Sequence, residues 1–182
     1  MQEQTSMDVG IYYQQIKFSI ADFNFGKFKG EISTQYKDTD VTLTYYRINN
    51  SEFLKTLWRS VPFKIKPDFI LLAEIEGIGF LRPHIDHEIL TGLNFYVQSN
   101  DDITTFYSLK ENIVRQLDNH YFNVESLNAV EHFVAKEKEC YLLDVANIHS
   151  VTSNGNNRKF VTWQWVNTDY KHVLGSFDDT YL

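Results

Sequence analysis

A succession of short β-branched and aromatic segments, each closed off by turn residues, limits this chain to a small set of folds. Val41 to Tyr46 alternates apolar and polar side chains, as a half-buried strand does. Asp68 to Ile75, Thr91 to Gln98 and Ile103 to Leu109 read as further strands, and Val130 to Lys136 alternates in part. Tyr141 to Asp144, Asn147 to Thr152 and Arg158 to Val166 complete the set, while Ile11 to Phe25 supplies one or two more. Turn signals fall between them at 28–30, at 38–40, at Gly77 and Gly79, at 99–102 and at 153–157. One segment differs: Asn50 to Val61 places Phe53, Leu54, Leu57, Trp58 and Val61 at helical spacing, behind an Asn or Ser cap and ahead of Pro62. Residues 110–122 leave a short helix open. Eight or more short strands with one good helix predict a mainly β sandwich or jelly roll with helix on one side.

The chain has 182 residues, enough for one domain with a sizeable core. The whole of 1–182 is therefore read as a single domain, with 1–8 and 170–182 as loose termini. Net charge is −7, which gives no general electrostatic attraction to nucleic acid or to anionic membranes. No apolar run approaches a membrane span, and residues 1–8 lack the basic and apolar regions of a signal peptide. Cys140 is the only cysteine, so neither an internal disulfide nor a cysteine-based zinc site is available, and a reducing cytoplasm is the expected setting.

Candidate chemistry starts in the stretch Phe80 to His87. Read as a strand, it turns His84 and Asp86 to the same face. An imidazole and a carboxylate there are two of the three ligands of a 2-His-1-carboxylate iron site. The plainer reading is a surface strand carrying a His–Asp hydrogen bond. A third candidate, His149, comes 65 residues later, and strands far apart in sequence lie side by side in a jelly roll. Nine residues past His149, Arg158 opens a strand expected to return antiparallel beside the His149 strand through an Asn-Gly turn. An arginine beside an iron site suggests a carboxylate partner, because its planar fork holds one with two parallel hydrogen bonds.

Taken together, His84-x-Asp86, His149 and Arg158 resemble the iron(II)- and 2-oxoglutarate-dependent oxygenases, and the stretches Pro83 to Tyr96 and Asn147 to Arg158 are most similar to the prolyl-4-hydroxylase-like branch with its small bacterial and phage members. The resemblance spans roughly residues 70 to 167. It implies a double-stranded β-helix (jelly roll) with one or two supporting helices. It further implies Fe(II) held by His84, Asp86 and His149, and 2-oxoglutarate as cosubstrate with its far carboxylate on Arg158. Tyr96 matches a position whose hydroxyl also reaches that carboxylate; Asn94 shares its strand face, and Thr162 shares the face of Arg158. The implied reaction consumes O2, releases succinate and carbon dioxide, oxidises a substrate C–H bond, and is one that ascorbate supports. Peptidyl proline, another protein side chain and a free small molecule all stay open as substrate.

Two departures from the pattern bear on the substrate. Members with an Arg-x-Ser pair would carry serine where Phe160 stands, and nucleic-acid repair members would carry a second arginine at Gln164; with the acidic charge, this speaks against a nucleic acid partner. Plainer roles remain for several side chains: Tyr96, Asn94 and Thr162 as core-lining polar residues, Lys159 as a solvated one, and His87 as the one other histidine near enough to compete as a ligand. A non-catalytic jelly-roll module, of a binding or virion-structural kind, is the alternative to an enzyme. A cupin-like metalloenzyme would want histidine in place of Asp86.

Overall fold

The computed structural model describes residues 12–21, 23–38, 40–110, 121–155 and 157–182. In order these form β1 (Tyr13–Ile16), α1 (Phe25–Phe28), β2 (Lys29–Lys37), β3 (Thr42–Ile48), α2 (Ser51–Ser60), β4 (Phe69–Glu76) and β5 (Ile78–His84). There follow β6 (Thr91–Gln98), β7 (Ile103–Leu109), β8 (Leu127–Val134), β9 (Cys140–Leu143), β10 (His149–Asn154), β11 (Arg158–Trp165) and α3 (Tyr170–Leu174). Seven strands make one antiparallel sheet in the order β1-β9-β6-β11-β4-β3-β2, and four make a second in the order β5-β10-β7-β8. The fold is mainly β, a jelly roll of two facing sheets with short helices outside the larger one.

Strand alternation divides the core into two layers. On β11, Val161, Trp163 and Trp165 point away from the small sheet and meet Leu57 of α2 and Tyr170 and Val173 of α3. The opposite face of the large sheet sends Ala73, Ile75, Tyr96 and Phe160 inward against Leu81, Phe106 and Val151 of the small sheet. Asn50 caps α2 as its sequence foretells, its side chain accepting from the Phe53 N–H at 2.8 Å. The apolar stripe of α2 packs on the outer layer, with Leu57 fully buried.

Several expectations need correction. Residues 170–182 are not loose: Asp169 caps α3, and Tyr170, Val173 and Phe177 are buried in the outer layer. Five helical residues are too few to show a helical period, so the sequence hides this segment. Of the one or two strands expected between Ile11 and Phe25, the described residues form one, β1; Phe18, Phe23 and Phe25 reach the core from coil and from α1. Lys29 and Gly30 begin β2 instead of a turn. The N-terminal residues 1–8 and the ambiguous stretch from 111 to 120 lie outside the described residues.

The largest correction concerns the Asn-Gly turn. β10 pairs with β5 and β7, whereas β11 pairs with β4 and β6, so the two strands are not a hairpin. The turn carries the chain from the small sheet to the large one, with Gly155 at φ 99° and Asn157 at φ 51°. β4 crosses to β5 in the same manner at Gly77, φ 101°, where a Cβ would sit 2.0 Å from the Asp40 carbonyl oxygen. Turn residues announce a reversal of direction but not whether the returning strand stays in its sheet.

Candidate metal centre

His84 is the last residue of β5 and His149 the first of β10, and the two are directly opposite in the antiparallel register. That pairing brings the imidazole centroids to 4.5 Å. β5 stops at His84, so Asp86 stands in the loop beyond and not on a continuing strand. The loop is anchored where the Asp86 N–H donates to the Val145 carbonyl at 3.2 Å. Asp86 Oδ1 lies 3.4 Å from His84 Nε2 and 3.7 Å from His149 Nε2. One donor atom from each of the three residues falls within 4.8 Å of the others.

Both histidines are oriented from behind. His84 Nδ1 is 2.7 Å from the Arg82 carbonyl oxygen, and His149 Nδ1 is 3.0 Å from that of Asn147. A carbonyl can only accept, so Nδ1 carries the proton and each Nε2 lone pair faces the shared point. Two imidazole nitrogens and one carboxylate oxygen around an open space are the donor set of a facial 2-His-1-carboxylate iron site, and they fit such an ion. His87 is exposed, 3.8 Å from Glu88, and outside this group. His132 and His172 lie elsewhere, on β8 and α3, and His120 falls outside the described residues.

Charge at the centre follows from this packing. Burial and the neighbouring His84 push His149 down to about 4, so its imidazole is neutral at ordinary pH. Burial works against a charge on His84 too, but the adjoining Asp86 carboxylate outweighs it and lifts His84 above the usual histidine value. Burial opposes ionisation of Asp86, yet the two histidines hold it below the usual carboxylate range.

Arg158 opens β11 and is only 2% exposed. Its Nη2 donates to the Tyr96 hydroxyl at 2.5 Å and to the Thr104 hydroxyl at 3.1 Å, and its guanidinium stacks 4.5 Å from the Tyr96 ring centroid. Nε and Nη1 are buried with no hydrogen-bond partner, and among the described residues no carboxylate pairs with this cation. A buried guanidinium lacking a counter-charge is costly, and here it borders a small cavity of about 50 Å³ that also touches His84, Asp86 and His149. Asn94 and Thr162 line that cavity as well. Tyr96 underlies the arginine instead of standing free beside it. Sequence reasoning missed Thr104 and Tyr45. Thr104 sits on the inward face of β7, one strand step from Phe106; Tyr45 lines both this cavity and a larger one. Alternation on the two recognised strands was the available signal for each.

No family model and no curated protein matches this sequence. Among solved structures, the chain is similar to a 2OG-Fe(II) oxygenase family oxidoreductase from Burkholderia pseudomallei, at 9% identity over 75% of this chain and 73% of that one, TM-score 0.44. It is also similar to a Pseudomonas putida prolyl-4-hydroxylase, at 11% identity over 76% and 79%, TM-score 0.41. A vicilin from Solanum melongena matches at 12% identity over 79% of this chain and 32% of that one, TM-score 0.40. An oxygenase-family protein, a prolyl-4-hydroxylase and a vicilin stand alike in this group, so the likeness carries no argument about activity. The side chains do.

Proposed function

We propose that this protein is a non-haem Fe(II)- and 2-oxoglutarate-dependent oxygenase that hydroxylates a substrate C–H bond. The observation that carries the reading is the Arg158 guanidinium, whose Nε and Nη1 are buried without a hydrogen-bond partner beside a cavity that also borders the three convergent donors. A metal site alone would suit many proteins. A buried cation across a small cavity from that site calls for a small dianion able to span the two.

His84, Asp86 and His149 would hold the iron, leaving the other positions to small ligands. Arg158 would bind the distal carboxylate of 2-oxoglutarate through its unused Nε and Nη1 donors. Tyr96 and Thr104 keep the guanidinium plane fixed from the opposite side, and Asn94 and Thr162 would border the carbon chain. Bound iron would supply the oxidative chemistry that couples decarboxylation of 2-oxoglutarate to oxygenation of the substrate. The residues do the positioning: neutral His149 needs no proton removed before it ligates, and Tyr45, Leu81 and Ile89 form part of the wall around the reacting region.

Succinate release from 2-oxoglutarate, with and without Fe(II), tests the proposal. Iron-dependent succinate formation is expected, lost in Asp86→Ala. A non-catalytic module or a cupin-like enzyme would release none, and Arg158→Gln would leave such an enzyme's own activity unchanged.

A further inference from the structure

The larger cavity, of about 710 Å³, opens onto His84 and Asp86 and runs from them over β3 and β2. Its volume and its largely apolar wall, including Leu43, Ile48, Leu54 and Leu71, are those of a small-molecule site. In a chain of net charge −7, the only lining carboxylate among the described residues is Asp86, one of the three candidate metal ligands. Among the described residues, the only lining lysine or arginine is Arg47.

Arg47 occupies a defined place. Leu43, Tyr45 and Arg47 share one face of β3, and exposure rises along them from buried through half-buried to exposed. Arg47 thus stands one two-residue step, about 7 Å, farther from the core than Tyr45. Its side chain has no hydrogen bond or ion pair among the described residues. At the other end, Gln164 is buried on the Arg158 face of β11, lines both cavities, and has a side-chain amide with no hydrogen-bond partner among the described residues. An unused amide beside the metal donors and an unpaired cation at the mouth, with apolar wall between them, describe one elongated ligand.

We infer that the cavity takes a small molecule with an apolar body and one anionic head group, a carboxylate or phosphate, held by Arg47. Gln164 meets a polar group near the opposite end. The inference rests on the oxygenase reading only for which end reacts: the end beside His84 and Asp86, remote from the head group.

Calorimetric titration of the iron-free full chain tests it, with decanoate, decyl phosphate and the neutral decanamide as probes. At least one anion binds one-to-one and about tenfold or more tighter than decanamide, as a charge-assisted hydrogen bond to arginine gives. Arg47→Gln, at an exposed position, erases that preference and leaves decanamide binding unchanged. Equal binding of all three probes, no binding of any, or a preference that survives Arg47→Gln and disappears in Arg158→Gln would overturn it. Succinate release is scored separately. Its absence sinks the oxygenase reading and leaves the anion preference standing; an active enzyme without that preference does the reverse.

Discussion

Arg158 is a buried cation with two of its nitrogens left without hydrogen-bond partners among the described residues. With Nε and Nη1 buried and unpaired, it burdens the ligand-free fold. Arg158→Met, which keeps much of the stem and removes the charge, is expected to leave the ligand-free protein as stable or to raise stability by on the order of 1 kcal/mol, while abolishing 2-oxoglutarate binding. Thermal melts with and without 2-oxoglutarate check both halves; a marked loss of stability without ligand would mean that the guanidinium is already compensated. The histidines make a second prediction. His84 titrates above the usual histidine value, so its proton competes with metal as pH falls through and below that point. His149 stays neutral down to about 4, and Asp86 stays ionised. Logarithmic metal affinity should therefore fall with a slope of about one per pH unit below neutrality, steepening only as His149 begins to protonate. Affinity that is flat from pH 7 to 5 would exclude His84 as a ligand. In the metal-free protein the sign for His149 runs the same way. Its folded value is depressed, so the unfolded chain takes up a proton first, and the stability this group contributes is lost as pH falls from about 6.5 toward 4.

At the scale of elements, the strongest test lies in the C-terminal segment. Phe177 is buried with its ring 5.6 Å from that of Phe63, which in turn meets Trp165 at 5.0 Å, so Phe177→Ala should destabilise by about 3 kcal/mol in denaturant unfolding. A loose tail would give a change within about 0.5 kcal/mol. Asn50→Ala removes the cap of α2 and should cost about 1 kcal/mol without affecting metal affinity. Strands with a clear period, such as β3, β6 and β11, were legible in the sequence because burial on one or both faces fixes their side-chain pattern. Helix α2 was legible for the same reason. Helices α1 and α3 were not, being four and five residues long and held by caps and tertiary contacts. The β10–β11 relation was misread because local turn chemistry says nothing about which sheet receives the next strand.

For the whole molecule, the site was more legible than the topology that builds it. His84, Asp86, His149 and Arg158 stand out as candidates by residue type and spacing, and the structure brings the three metal-ligand candidates together beside a cavity that Arg158 also lines. The misread turn did not matter to that outcome. His149 meets His84 through the β5–β10 pairing, and Arg158 reaches the same cavity from the opposite sheet. Long-range pairing of this kind leaves no local mark in a sequence; alternation gives the strand faces of Thr104 and Tyr45 but not the cavity that two facing sheets make them line. The jelly roll thus places the candidate metal ligands mainly on one sheet and the cation on the other, and in the proposed function 2-oxoglutarate would bridge the two. Anaerobic calorimetry of 2-oxoglutarate binding, with and without one equivalent of Fe(II), tests this arrangement most directly. The account predicts one iron per chain, tight 2-oxoglutarate binding only when iron is present, and loss of that binding in Arg158→Gln with iron still held. Iron that fails to bind stoichiometrically, or 2-oxoglutarate binding indifferent to both iron and Arg158, would contradict it.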